Sequence, residues 1–186
     1  IENRGSGQFS ITPLPLQVQA APVFGIASTD ADGDGALDLL LVGNDYGMEP
    51  GSGRHDALNG LYLKGNGKGN FTPVPGAASG FFVPGDGKGL GVVYTAKKEV
   101  LYLATQNSDS LLVYHKTIAG GLKWLEVKKD DLYAELVYAA NKKRRVEFYY
   151  GATFLSQSSR MLPVDKAVVK VIITGANGAK RNVPMN

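Results

Sequence analysis

The chain has 186 residues, with 24 glycines, 9 prolines and no cysteine, a length that supports one domain or two small ones around a real core. The missing cysteines exclude disulfides and thiolate chemistry but leave export open, and no apolar run approaches the roughly 18 residues a membrane helix needs. The net charge of +3 conceals an asymmetry: residues 1–95 carry five Lys and Arg against nine Asp and Glu, and residues 96–186 carry fifteen against eight; the acidic half suits a cation, the basic half an anionic partner or a solvated surface.

Dense Gly and Pro, without long apolar stretches of helical period, predict many short strands joined by turns and an all-β fold. The chain opens at Ile1 inside a motif and without a leader, and is read as a trimmed piece of a longer protein. Its first turn, Gly5-x-Gly7-x-Phe9, recurs 62 residues later as Gly67-x-Gly69-x-Phe71. Pro13 and Pro15 follow the first copy, and Pro73 and Pro75 the second. An apolar strand ending in asparagine then comes in each, Leu39 to Asn44 and Leu101 to Asn107. Matches in the same order at nearly constant spacing predict a repeating unit of about 60 residues, the size of a propeller blade. A chain holding at most about two such units falls short of the roughly four to eight blades of a closed propeller.

Between the first prolines and the first strand lies Asp30-Ala31-Asp32-Gly33-Asp34-Gly35-Ala36-Leu37-Asp38. Carboxylates stand at loop positions 1, 3, 5 and 9, and a hard cation such as calcium takes six to eight oxygens. Alternate residues of a tightly wound loop turn their side chains toward one centre. Gly35 allows the sharp bend, and Ala36 offers a backbone carbonyl. The predicted ligands are therefore Asp30, Asp32, Asp34, Ala36 and Asp38. The loop is not an EF-hand, because position 12 is Leu41 rather than glutamate. Leu37 and the run from Leu39 to Val42 read as a strand buried on both faces. The competing reading is an acidic Asp-Gly turn without metal, which would leave four mutually repelling carboxylates. The second repeat carries Lys97 and Lys98 where acids would be needed, and Leu101 in place of Asp38. A plain turn is expected there.

Residues 44–60 form a long polar loop with Tyr46, Met48, Glu49, Arg54, His55 and Asp56. Arg54 and Asp56 either contact a ligand or pair to pin the loop. His55 and His115 are the two histidines, and neither lies near a recognisable nucleophile. Trp124, flanked by Leu122 and Leu125, is read as core rather than as a sugar-stacking face. Lys142-Lys143-Arg144-Arg145 reads as a hairpin tip leading into a strand in which Val146, Phe148 and Tyr150 alternate with Arg145, Glu147 and Tyr149. A nucleic-acid reading needs interleaved aromatics or a known motif, and one short run is weak support. An acidic polysaccharide or anionic surface remains an alternative to a solvated turn. Ser156, Ser158 and Ser159 lack the Gly-x-Ser-x-Gly setting of a nucleophile, and are read as satisfying backbone groups.

Two stretches resemble known families. Phe24-Gly25-Ile26-Ala27, the Asp-rich loop, the Leu-rich strand and the Gly-x-Gly-x-Phe turn resemble FG-GAP (VCBS) repeats, the blades of integrin-α-type β-propellers, whose corresponding loop binds calcium. Gly151 to Arg160, Val168 to Ile173 and Asn177-Gly178 resemble the small ASPIC/UnbV β-domain that often follows such repeats; Thr174-Gly175 stands where members usually carry Trp-Pro. The resemblance implies FG-GAP-like blades over residues 1–117 and a small β-sandwich-like domain over 118–186. It also implies Ca2+, a secreted or cell-surface location, and a non-catalytic adhesion or carbohydrate-binding role toward an extracellular polysaccharide or protein. A metal-assisted hydrolase of glycans or phosphoesters and a structural spacer are the alternatives.

Overall fold

A computed structural model describes residues 1–97, 99–116 and 123–185. The described residues form small antiparallel sheets, and no closed barrel is among them. In its coarse form, the all-β expectation holds. The boundary expected at residues 117/118 lies outside the described residues, as do Lys98 of the second repeat and Leu122 beside Trp124. No helix among the described residues is long and apolar enough to cross a membrane.

A first hairpin pairs β1 (Glu2–Gly5) with β2 (Gln8–Ser10), and a 3-10 turn follows at Leu16–Gln19. Next come β3 (Val23–Thr29), β4 (Asp38–Gly43), β5 (Leu61–Gly65) and β6 (Phe71–Val74), which pair in chain order as an antiparallel meander. A one-turn helix, α1 (Gly76–Ser79), precedes β7 (Gly87–Tyr94), β8 (Val100–Gln106) and β9 (Leu112–Lys116), which form a three-stranded sheet. Further on, β10 (Lys123–Glu126) pairs with β13 (Met161–Val164). The last sheet has the order β12 (Lys143–Glu147), β11 (Asp131–Tyr138), β14 (Val168–Gly175), β15 (Lys180–Pro184). The chain divides into two compact units, Ile1–Leu90 with Ala104–Leu112, and Gly91–Leu103 with Val113–Asn186.

In the first unit, β4 lies between β3 and β5. Leu40, Leu41 and Val42 are consecutive, so they alternate between faces, yet all are buried. Both faces of β4 are thus covered, which explains its unbroken apolar run. The enclosed stretch begins later than the sequence suggests, because Leu37 is exposed and Leu39 half-buried. Gly43 and Gly65 bound this sheet for a steric reason. A Cβ on Gly43 would lie 2.0 Å from the Pro22 carbonyl oxygen, and one on Gly65 would lie 2.0 Å from that of Leu37.

The sequence repeat is also a repeat of backbone geometry. Gly5 and Gly7 take φ of +85° and +75°, and Gly67 and Gly69 take +68° and +82°, a region that favours glycine. Pro15 and Pro75 each stand just before a one-turn helix, with φ, ψ of −50°, 149° and −57°, 141°. The Asn44 N–H donates to the Pro22 carbonyl at 2.9 Å, and the Asn107 N–H to the Asp86 carbonyl at 2.8 Å. The side chains then diverge. Asn44, fully buried, donates to the carbonyls of Leu58 (2.6 Å) and Gly85 (2.9 Å) and accepts from the Leu58 N–H (2.9 Å). Asn107 instead donates to the carboxylate of buried Asp86, which also pairs with Lys88 at 2.7 Å.

In the second unit, Leu162 and Val164 of β13 share one core cluster with Ala134, Leu136, Val171 and Ile173 of the four-stranded sheet. Arg160 ties the surrounding loops. Its guanidinium donates to the carbonyls of Lys128, Asp131, Phe148 and Tyr149 at 3.1–3.3 Å.

Candidate metal centre

The register pairs Thr29 with Asp38, so residues 30–37 form the connection between β3 and β4. The loop is wound by its own carboxylates. Asp30 accepts from the N–H groups of Gly33 (2.7 Å) and Gly35 (3.1 Å), Asp32 from that of Asp34 (3.1 Å), and Asp34 from that of Ala36 (2.8 Å). Gly33 and Gly35, at φ of +86° and +87°, supply the left-handed bends. Expectation named Gly35 alone; Gly33 bends the chain in the same way.

Asp38 is held differently. It is fully buried at the start of β4. One oxygen accepts from the Ala31 N–H (2.8 Å) and the Tyr62 hydroxyl (3.1 Å), and the other from the Gly65 N–H (2.8 Å). It therefore ties the loop, β4 and the end of β5 together. Oxygens from Asp30, Asp32 and Asp38 lie within 4.8 Å of one another. Oxygens so spaced can all touch one ion at the roughly 2.3–2.6 Å typical of calcium. Asp34 lies outside that group. With Asp32 it meets the Lys64 ammonium, 3.0 Å from Asp34 and in direct contact with Asp32.

Sequence reasoning missed Lys64 and Tyr62. Both lie on β5, two residues apart, and hence on the same face of the strand. Hydrogen bonds to Asp32 and Asp34 raise the Lys64 ammonium above its ordinary range. Burial, and then the charge of Asp38, raise the Tyr62 hydroxyl likewise. Both groups hold their protons at neutral pH. The loop carboxylates thus have partners in the protein itself: backbone amides of the loop and of Gly65, the Tyr62 hydroxyl and the Lys64 ammonium.

The other sequence candidates fall into structural roles. Asp45 and His55 exchange backbone hydrogen bonds of 2.8 and 2.9 Å, closing the 44–60 loop. Arg54 lies over the Tyr46 ring, 4.6 Å from its centroid, and no ion pair joins it to Asp56 among the described residues. Gln19 to Pro22 and Arg54 to Ala57 line an open depression of about 510 Å³. His115 faces Glu99 at 3.6 Å. Ser158 and Ser159 accept from the N–H groups of Val92 and Tyr94 on β7, and the Ser156 hydroxyl donates to the Phe154 carbonyl.

Residues 139–142 form the expected hairpin turn, with Ala140 at φ +57°. Lys143 pairs with Glu135, while Arg145 pairs with Glu147 and stacks on Tyr133. The following strand ends at Glu147, so Val146 and Phe148 pack on the core while Tyr149 and Tyr150 stay exposed. Trp124 is half-buried, its ring 5.5 Å from that of Tyr94. A scan against protein-family models finds no match to this chain, and a search of curated proteins finds none either.

Proposed function

We propose that the 30–38 loop holds one calcium ion and that the protein is a calcium-stabilised, non-catalytic binding or adhesion module of the cell surface or extracellular space. The observation that carries this reading is the convergence of Asp30, Asp32 and Asp38 within 4.8 Å. The donors are all oxygen, which suits a hard cation. Asp34 and the Ala36 carbonyl complete the ligand set implied by the FG-GAP resemblance. The propeller reading draws support from the β3–β6 meander and the repeated backbone features. The β1–β2 hairpin, whose glycine turn matches the β5–β6 turn, corresponds to the outer half of another blade. Two sheets sharing one core in the second unit are compatible with an ASPIC/UnbV-like sandwich.

Hydrolysis would need a base beside the ion. Tyr62 and Lys64, whose side chains touch the loop carboxylates, are neither of them a carboxylate or an imidazole, which supports a structural ion. Glycan-array binding by the protein, against none, separates a recognition module from a spacer.

Calcium added after chelation is expected to raise the melting temperature by several degrees once it exceeds its dissociation constant about a hundredfold. Asp30→Asn with Asp32→Asn is expected to abolish that response. A second reading has a specific observation behind it: Lys64 as the resident counter-ion of a metal-free turn. If calcium at about 10 mM, above the usual range for extracellular modules, leaves the wild type unmoved while Lys64→Met lowers its melting temperature, that reading replaces the first.

A further inference from the structure

No Asp or Glu occurs between Glu147 and Asp165. Within that stretch the chain doubles back as a small finger. The N–H of Thr153 donates to the Ser156 carbonyl (3.4 Å) and the N–H of Ser156 to the Thr153 carbonyl (3.2 Å). The two hydroxyls also touch, and the Gly151 N–H is held by the Gln157 side chain. The tip consists of Phe154 and Leu155, 49% and 83% exposed. Leu155 takes φ of +49°, a left-handed conformation that asparagine and glycine accept and a bulky apolar residue resists. A braced turn that presents leucine to solvent in a disfavoured conformation is an outlier of the kind found at functional sites.

The foot of the finger has a different chemistry. Tyr149 and Tyr150 are 67% and 66% exposed. The Tyr150 hydroxyl donates to the Lys129 carbonyl at 3.0 Å, which brings the exposed Lys128–Lys129 turn alongside. The Arg160 guanidinium lies 3.9 Å from the Tyr150 ring centroid. Of the two acids on that turn, Asp131 is buried against Arg181 and Asp130 is exposed. The compact unit carrying the finger has fifteen Lys and Arg against seven Asp and Glu, a net of +8.

We propose that this finger docks the protein on an anionic lipid bilayer. Phe154 and Leu155 enter the acyl boundary, Tyr149 and Tyr150 lie at headgroup level, and Lys128 and Lys129 meet the acidic headgroups. The order apolar tip, aromatic shoulder, cationic foot follows the polarity gradient of a membrane interface. A sugar polymer would call for hydrogen-bonding side chains around the rings, whereas the tip itself carries two hydrocarbon side chains. The proposal is independent of calcium and is tested in the presence of chelator.

The probe is co-sedimentation of the full chain with vesicles of phosphatidylcholine containing about 30% phosphatidylserine, enough to give a negative surface potential. Wild type is expected in the pellet with these vesicles and in the supernatant with phosphatidylcholine alone. Leu155→Asn and Phe154→Ser are each expected to weaken partitioning about tenfold, the effect of withdrawing one large apolar side chain from lipid. Lys128→Gln with Lys129→Gln should reduce both binding and its salt dependence. Asparagine tolerates the left-handed backbone, so Leu155→Asn should melt no lower than wild type, and its loss of binding cannot be ascribed to unfolding. The proposal is overturned if wild type stays in the supernatant, if Leu155→Asn pellets as wild type does, or if neutral vesicles bind equally well. Self-association of the chain that Leu155→Asn abolishes, without vesicle binding, would assign the finger to a second copy instead.

Discussion

Asp38 accepts three hydrogen bonds with two oxygens, from Ala31 in the loop and from Tyr62 and Gly65 on β5, so its removal strands donors on both segments. Asp38→Ala is expected to destabilise the protein by about 3–5 kcal/mol, since each buried donor left without an acceptor costs about 1–3 kcal/mol. Asp38→Asn keeps one oxygen but sets an NH₂ group against a donor, so a loss of about 2–3 kcal/mol is expected. Urea denaturation measured in chelator isolates this framework role from any metal. If Asp38→Ala were neutral there, Asp38 would be serving the ion alone. The remaining loop acids behave differently. Asp32 and Asp34 meet Lys64 near the surface, where such pairs are worth little. The same residue type thus does two jobs within nine positions: Asp38 holds the sheet, and Asp30, Asp32 and Asp34 wind the turn.

At the scale of the element, Gly65 shows why the β4–β5 edge tolerates little change. Its N–H serves Asp38 while the Leu37 carbonyl packs where a Cβ would stand. Gly65→Ala must push backbone against backbone, and a loss of at least about 2 kcal/mol is expected by denaturation. By contrast, alanine at Gly69, where nothing lies within 4 Å, meets only the penalty of its positive φ. Much of this layer was legible in the chain. The spacing of Gly5, Gly7 and Phe9 against Gly67, Gly69 and Phe71 carries over into matching turns, and Asn44 and Asn107 into matching backbone bonds. The Asp spacing anticipated a wound loop in which Asp30, Asp32 and Asp38 converge, but it counted Asp34 among them, and Asp34 meets Lys64 instead. Lys64 was not legible, because its place depends on strand register. Leu39 faces Leu63, so Lys64 falls opposite Asp38, but the long 44–60 connection hides that register from local pattern. Nor did alternation alone reveal that Tyr150 falls beyond the end of β12, where pairing stops at Glu147.

At the scale of the whole molecule, the raised groups set an alkaline limit. Tyr62 and Tyr94 are raised chiefly by burial. Each binds its proton more tightly folded than unfolded. Their stabilisation is therefore complete below the unfolded value, about 10 for tyrosine, and is lost as pH climbs beyond it. Stability should fall above about pH 10, and Tyr62→Phe should make the fall shallower; an unchanged slope in urea titrations would show that Tyr62 ionises alike in both states. Calcium should act on a smaller territory. The acidic loop and β3–β6 belong to the first compact unit, while the Leu136–Val171 core belongs to the second. A ligand stabilises the cooperative unit whose opening releases it. Hydrogen exchange is thus expected to slow with calcium over residues 23–43 and 61–74, and to stay unchanged over 123–185. Equal slowing in both regions would mean that the two units open as one. Slowing confined to 123–185 would place the ion elsewhere and remove the loop from the account.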